Sequence, residues 1–507
     1  MSHPQSPLLQ VVRTIARSLL LPLWVWAVVE AQGAGVQIIP KWGVFEQTLR
    51  SSTTYDSPSA DCSLQAEFTS PSGETSLIDG FWDGGRTWRL RFKPDQAGNW
   101  KYVTRSSDPA NSGLRISGQF VCIAPSAETR FSRHGPVVGE PRTGKFQHRD
   151  GSPFFWIADT LRIQAIHASH DDLAFYAQTR WHQQFSAVHL SIPAREPGSR
   201  SAHAGAQPAI SYFQRLDRAI SLLNSRDLLC AIRLELPRSV SDSEAAALFR
   251  YANARWHAWD VAWIFDQFRV TGSNTLLRAE LASHPDVTAI LARERLALNA
   301  EPWVDGLLVR GTNRNLTNPL IRAQLRLPVL VELTAHENAL SASKHRVTAD
   351  AVRRELWPAL LLGSAGGFAY QAQGVAIWDT TAVNKDELPL WQRSLFLPGA
   401  KQMRIAAELF DSMEEEHEVR IASPDASSVA LAMDSNKTFR AYYCADQDVL
   451  ELPSETIPDM PGLRWLNPRT GETREAVAVL GSATIKVPAP TAADWILLVR
   501  SRPQRQR

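Results

Sequence analysis

The sequence predicts a multidomain protein: a central (β/α)8 TIM barrel flanked by two β-sandwich domains. Three observations carry this. Residues 36–124 hold short alternating strands between turn clusters; from Lys145 onward apolar strands alternate with helical segments; residues 418–500 return to short strands. A chain of 507 residues accommodates about three domains at roughly 100–200 residues each, or a barrel of about 250 residues with two smaller neighbours.

In the first domain, 36–124, the runs Cys62–Thr69, Thr87–Phe92 and Trp100–Thr104 alternate apolar and polar residues. Pro71-Ser72-Gly73, Asp83-Gly84-Gly85 and Asp95–Asn99 separate them. Strands at that spacing read as a sandwich. The second domain, 130–412, opens on a hairpin, Phe146–Arg149 with Pro153–Ile157 around Asp150-Gly151. Barrel strands are then expected at Phe154–Ala158, Phe185–Ile192, Leu228–Leu236, Val261–Phe265, Leu276–Ala282, Val304–Val309, Val329–Leu333 and Gly367–Tyr370. Leu276–Ala282 is the weakest, with a helix expected after Asp286. Eight strand–helix units favour a closed barrel over an open sheet. The third domain, 418–500, carries strands at Val429–Met433, Thr438–Tyr443, Leu463–Leu466, Ala483–Val487 and Trp495–Val499.

Composition narrows the function. Hydrophobic residues make 44% and charged residues 21% of the chain, the balance of an ordinary globular protein. With 54 basic and 52 acidic residues there is no field suited to nucleic acid. Seventeen tryptophans suit stacking on sugar rings, although barrels and sandwiches also bury many. Arg13 and Arg17 precede an apolar run, Ser18–Val29, and Val29-Glu30-Ala31 offers a peptidase site. Residues 1–31 therefore read as a signal peptide, its apolar run being short for a bilayer span, with an uncleaved anchor as the rival. The expected location is secreted, periplasmic or cell-surface, with no membrane insertion of the mature chain. Export would permit Cys62 and Cys122 to pair, while Cys230 and Cys444 read as buried thiols. His167, His170 and His182 lack HExxH spacing, and no GxSxG or GxGxxG occurs, so neither metal nor cofactor is expected.

In such a barrel the chemistry lies at the C-terminal ends of the strands. Asp159 ends the first, Glu235 the third, Asp266 the fourth and Glu332 the seventh. A carboxylate after four or five apolar residues is costly to bury without partners, and a barrel mouth gives that cost a use. Glycosidic cleavage needs two carboxyls facing each other across the sugar, one to donate a proton and one to attack or to activate water. Strands four and seven lie on opposing arcs, so Asp266 and Glu332 could face across the mouth. Alternatively either acid caps the next helix or pairs with an arginine such as Arg269 or Arg310.

Several stretches resemble apiosidase-like glycoside hydrolases and the domains that accompany them. Lys41–Glu46, Phe81–Gly85 and Trp88–Phe92 are similar to the sandwich of unknown function that precedes those barrels. Asp150–Thr160 resembles their first strand; Pro328–Glu332, Gly363–Tyr370 and Trp378 resemble their last two, and Leu397–Ala400 their final helix. Trp495–Leu498 resembles the end of a collagen-binding-type C-terminal sandwich. The resemblance implies secreted barrel enzymes, some of which remove apiose from pectin side chains. It implies Asp266 as acid/base and Glu332 as nucleophile, and it aligns His284-Pro285 with a strand-five His-Pro. A retaining mechanism is expected on a carbohydrate partner. Asp159 is expected to bond sugar hydroxyls from the pocket floor, Tyr370 and Trp378 to form a ring platform, and Glu235, His284 and Arg310 to contact substrate. The apolar Ile264-Phe265 should bury Asp266 and raise its pKa. The sequence departs from the family where Ile264-Phe265, Val331, Leu333 and Phe368 replace smaller or polar residues, which would crowd the pocket. A non-catalytic carbohydrate- or matrix-binding protein with a decayed barrel is the alternative, and a structural spacer is a third.

Overall fold

The computed structural model describes residues 36–193, 209–236, 240–266, 276, 279–280, 288–293, 304–311, 327–361, 366–382, 387–411, 429–433, 439–445, 447–453, 462–481 and 484–500. The expected signal segment, His284, Arg269 and the helix sought at 319–325 lie outside them. Among the described residues no helix is long and apolar enough to cross a membrane.

The N-terminal sandwich has two sheets. One orders Gln37–Pro40, Ser117–Ile123, Gly98–Ser106, Leu64–Thr69 and Thr75–Asp79; the other orders Phe45–Arg50, Thr87–Phe92 and Phe81–Trp82. Gly98–Ser106 buries alternate residues, so its apolar side lines the core and its polar side meets water. Phenylalanine rings fill the core: Phe68 stacks on Phe92 at 4.0 Å and Phe45 on Phe120 at 4.4 Å. The bridge considered between Cys62 and Cys122 is not present. Both thiols are buried, and neither they nor the buried Cys230 and Cys444 form a disulfide. Burial pushes the Cys122 thiol up to about 11, away from reactivity.

The expected hairpin forms between Lys145–His148 and Pro153–Phe154, with Val137–Glu140 as a third strand. Phe146 and Phe154 join Trp156, Leu229, Ile290 and Leu330 in one buried cluster. The backbone at Gly139 packs against Asp305, just ahead of strand six. This small sheet therefore plugs the N-terminal end of the barrel and leaves the opposite end for a site.

The barrel is closed by eight parallel strands: Trp156–Arg162, Ala187–Pro193, Leu229–Glu235, Val261–Asp266, Thr288–Arg293, Gly306–Arg310, Val329–Glu332 and Gly367–Ala369. Strand eight pairs back to strand one, Trp156 opposite Gly367. Strand five corrects the sequence reading. It is Thr288–Arg293, where a helix was expected, and Leu276, Ala279 and Glu280 are helical. Thr288-Ala289-Ile290-Leu291-Ala292 is a short apolar run, which periodicity alone does not assign. Ala158, Ala231, Ala262, Ile264 and Leu308 fill the interior, while Ile157, Ile232, Trp263, Phe265 and Val309 pack outward against the helices. Gly367 has φ +126, and a Cβ there would lie 2.0 Å from the Trp156 carbonyl oxygen. Gly367→Ala should therefore cost about 2–3 kcal/mol by thermal melting, through strain at the closing strand pair.

The C-terminal sandwich pairs a five-stranded sheet, Val429–Met433, Phe439–Cys444, Trp495–Arg500, Gly462–Leu466 and Thr473–Glu475, with a three-stranded one, Val449–Pro453, Thr484–Pro488 and Val479–Leu480. Trp465, Trp495 and Leu497 are central to its core.

A buried arginine ties each sandwich to the barrel. Arg255, on the helix Asp242–Trp256, reaches Asp83 of the first sandwich at 2.8 Å and Asp217 of the helix Ile210–Asn224 at 2.8 Å. Arg91 of the sandwich also reaches Asp217, at 3.1 Å, and bonds the Arg255 carbonyl at 2.6 Å. At the other end Arg353 pairs with Asp494 at 2.6 Å and Gln402 at 2.8 Å.

Candidate active site

Inward-facing residues alternate along each strand, so the last inward positions ring the open end. On strand three they continue from Leu229 and Ala231 to Arg233 and Glu235; on strand four from Ala262 and Ile264 to Asp266. Strand six ends inward at Arg310 and strand seven at Glu332, which sit opposite each other in register. The period of two thus turns Asp266 and Glu332 to the same mouth.

Arg233 lies between them. Its Nε is 3.9 Å from Asp266 Oδ1 and its Nη2 is 3.8 Å from Glu332 Oε2. One planar guanidinium spanning both bounds their separation at about 10 Å. Arg310 Nε donates to Glu332 Oε2 at 3.2 Å. Burial alone would raise the Glu332 pKa, but the Arg233 and Arg310 guanidinia outweigh it and hold the carboxyl below its ordinary range. Glu332 is therefore ionised at neutral pH. Asp266 differs. The burial expected from Ile264-Phe265 is absent, because Phe265 points outward and the Asp266 side chain is 51% exposed at the rim. Glu235 is likewise exposed on the rim.

The expected crowding is also corrected. Phe265, Val331, Leu333 and Phe368 all pack into the helix layer, and Ile264 lies a layer below the mouth. Large residues at outward positions do not point into the barrel interior.

Three expected sugar contacts lie elsewhere. Asp159 is fully buried on the outward face of strand one, paired with Arg180 at 2.6 Å and accepting from Tyr176 Oη at 3.1 Å. It joins strand to helix and does not face the pocket. Tyr370 is fully buried too; its hydroxyl donates to Glu337, and its ring faces Arg180 at 5.8 Å. Trp378 stacks on Trp391 at 4.2 Å inside the core and offers no ring platform. Arg310 does reach the mouth, and its side chain is 68% exposed.

Two inward-facing residues were not anticipated: Arg233, which reaches the mouth, and His189, buried in the barrel interior, whose ring accepts from Trp156 Nε1 at 3.1 Å. The signal was present in the sequence. Both are polar residues at inward positions of apolar strands, LCAIRLE and AVHLSIP, and a search confined to carboxylates passes over them. Among the described residues no cluster could hold a metal ion.

Comparison with known proteins agrees with this architecture. Residues 38–107 match the family described as a domain of unknown function, DUF5060, and residues 141–274 and 318–416 match the apiosidase-like catalytic domain. None of the curated proteins matches the chain. Among solved structures, a candidate glycoside hydrolase of Bacteroides vulgatus ATCC 8482 superposes with a TM-score of 0.69 at 15% identity, over 92% of this chain and 100% of that one. A glycoside hydrolase family 5 protein of the same organism reaches 0.58 at 15% identity, over 75% of this chain and 96% of that one. At such identities the likeness is one of fold. The barrel region of this chain is thus similar to the apiosidase-like catalytic domain, and the region before it to DUF5060.

Proposed function

We propose that the protein is an exported glycoside hydrolase that cleaves a polysaccharide or oligosaccharide by a retaining, two-carboxylate mechanism. The observation that carries this is Arg233, which approaches Asp266 and Glu332 from inside the barrel mouth. Glu332, ionised between two guanidinia, is suited to attack the anomeric carbon. Asp266, open to solvent on the facing strand, gives a proton to the leaving oxygen and later takes one from the incoming water. Glu235 and Arg310, also on the rim, are placed to contact the saccharide. The leader-like pattern of residues 13–31 supports export.

A second reading, a saccharide-binding barrel without turnover, is favoured by one observation: Glu332 Oε2 already accepts from Arg310. One experiment separates the two. The purified full chain is incubated with plant, algal and bacterial polysaccharides, and binding and release of reducing ends are both followed. Hydrolysis predicts new reducing ends that disappear in Glu332→Gln. Retention on a polysaccharide with no release supports the second reading.

A further inference from the structure

His189 lies on strand two with Thr160 and Ala231 as its register neighbours. It is 5% exposed. The Trp156 indole Nε1–H donates to its Nε2 at 3.1 Å. An indole nitrogen only donates, so Nε2 must offer a lone pair and the ring's single proton sits on Nδ1. Burial keeps the ring neutral, bringing its pKa down to about 4. Nδ1 is itself buried and has no hydrogen-bond partner among the described residues.

The Arg233 Nε is in the same condition. It is buried without a hydrogen-bond partner among the described residues, since its approach to Asp266 is 3.9 Å. Arg233 Nη2 stands 3.8 Å from Glu332, and the Glu332 charge also acts on the His189 ring. Buried donors are almost always satisfied. Two donors without partners among the described residues, both facing the barrel interior and both under the influence of one ionised carboxylate, mark a place for a ligand that brings acceptors.

We propose that His189 Nδ1–H and Arg233 Nε–H form the donor pair of the sugar pocket, each bonding a hydroxyl oxygen of a neutral saccharide ring held against Glu332. This rests on the hydrolase reading, which turns the ring toward Glu332. Charge decides for a neutral ring. The imidazole contributes none, Arg233 already faces two carboxylates, and an acidic sugar would set its carboxylate beside that of Glu332.

The test is nitrogen-15 NMR of the histidine-labelled full chain, in wild type and in Glu332→Gln. The His189 resonance is assigned by its loss in His189→Asn or, should that variant misfold, by its shift in Glu332→Gln. Neutral methyl glycosides (xyloside, galactoside, arabinofuranoside) are added, then galacturonate and glucuronate. The expected result is an Nδ1-protonated ring whose Nδ1 proton moves downfield with at least one neutral glycoside in both proteins. A shift with uronates alone, no shift with any sugar, or an Nε2-protonated ring would overturn the proposal. The shift without polysaccharide cleavage keeps the donor pair and removes the hydrolase reading. Cleavage without the shift does the reverse.

Discussion

Glu332→Gln is expected to lower turnover by roughly 10⁴-fold or more while leaving saccharide binding measurable. The amide keeps the shape of the carboxylate but cannot attack carbon. The fold should tolerate the change, because Arg310 is exposed and hydrates once its partner is neutral. Asp266→Asn should separate from it. With a good leaving group little protonation is needed, so the loss should stay within about 10²-fold; with a poor one it should approach the Glu332 effect. Because Arg233 and Arg310 hold the Glu332 carboxyl below its ordinary range, the acid limb of kcat/KM should also fall below that range. Replacing Arg233 with Met should move the limb upward. An Asp266→Asn, Glu332→Gln double variant with full activity would transfer the chemistry to Glu235, the remaining acid among the described residues of the rim.

Arg255→Met is expected to destabilise the whole chain by about 3–5 kcal/mol. It leaves Asp83 and Asp217 buried with one guanidinium fewer, at the seam where the first sandwich meets two barrel helices. For a barrel-sized unit that is a fall of about 10 °C in Tm. The sign of the pH dependence follows from Asp83. Burial alone would raise its carboxyl, but Arg255 and Arg89 outweigh burial and hold it below the ordinary value of 3.8. A depressed carboxyl stabilises the fold at all pH values above its unfolded pKa, and that share is lost as pH falls through the folded one. Wild type and Arg255→Met should therefore differ fully near neutrality and converge below about pH 4. Equal melting temperatures at pH 7 would show that the seam is not a stabilising contact.

The strands of the barrel were legible because a buried parallel strand is a short apolar run, and seven of the eight runs stand between turn signals. Strand five failed for the same reason: Thr288–Arg293 is as apolar as a buried helix face. Asp266 and Glu332 were legible as acids ending apolar strands, and strand parity turned both inward. Asp159 shares that signature and lies on the other face, since one residue of register decides between pocket and helix layer. Tyr370 and Trp378 misled differently. Aromatic residues near a strand end look alike whether they stack on a sugar or on Trp391, and only packing separates the two.

In the proposed mechanism Glu332 attacks the sugar while Asp266 handles the proton. Its most direct test is mass spectrometry of the full chain incubated with an activated 2-deoxy-2-fluoro glycoside of whichever sugar the polysaccharide screen releases. The fluorine slows breakdown of a glycosyl–enzyme ester so that it accumulates. One adduct is expected, on the peptide that contains Glu332, absent from Glu332→Gln. An adduct on Asp266 or Glu235, or cleavage of the parent glycoside with inversion and no adduct, would contradict it.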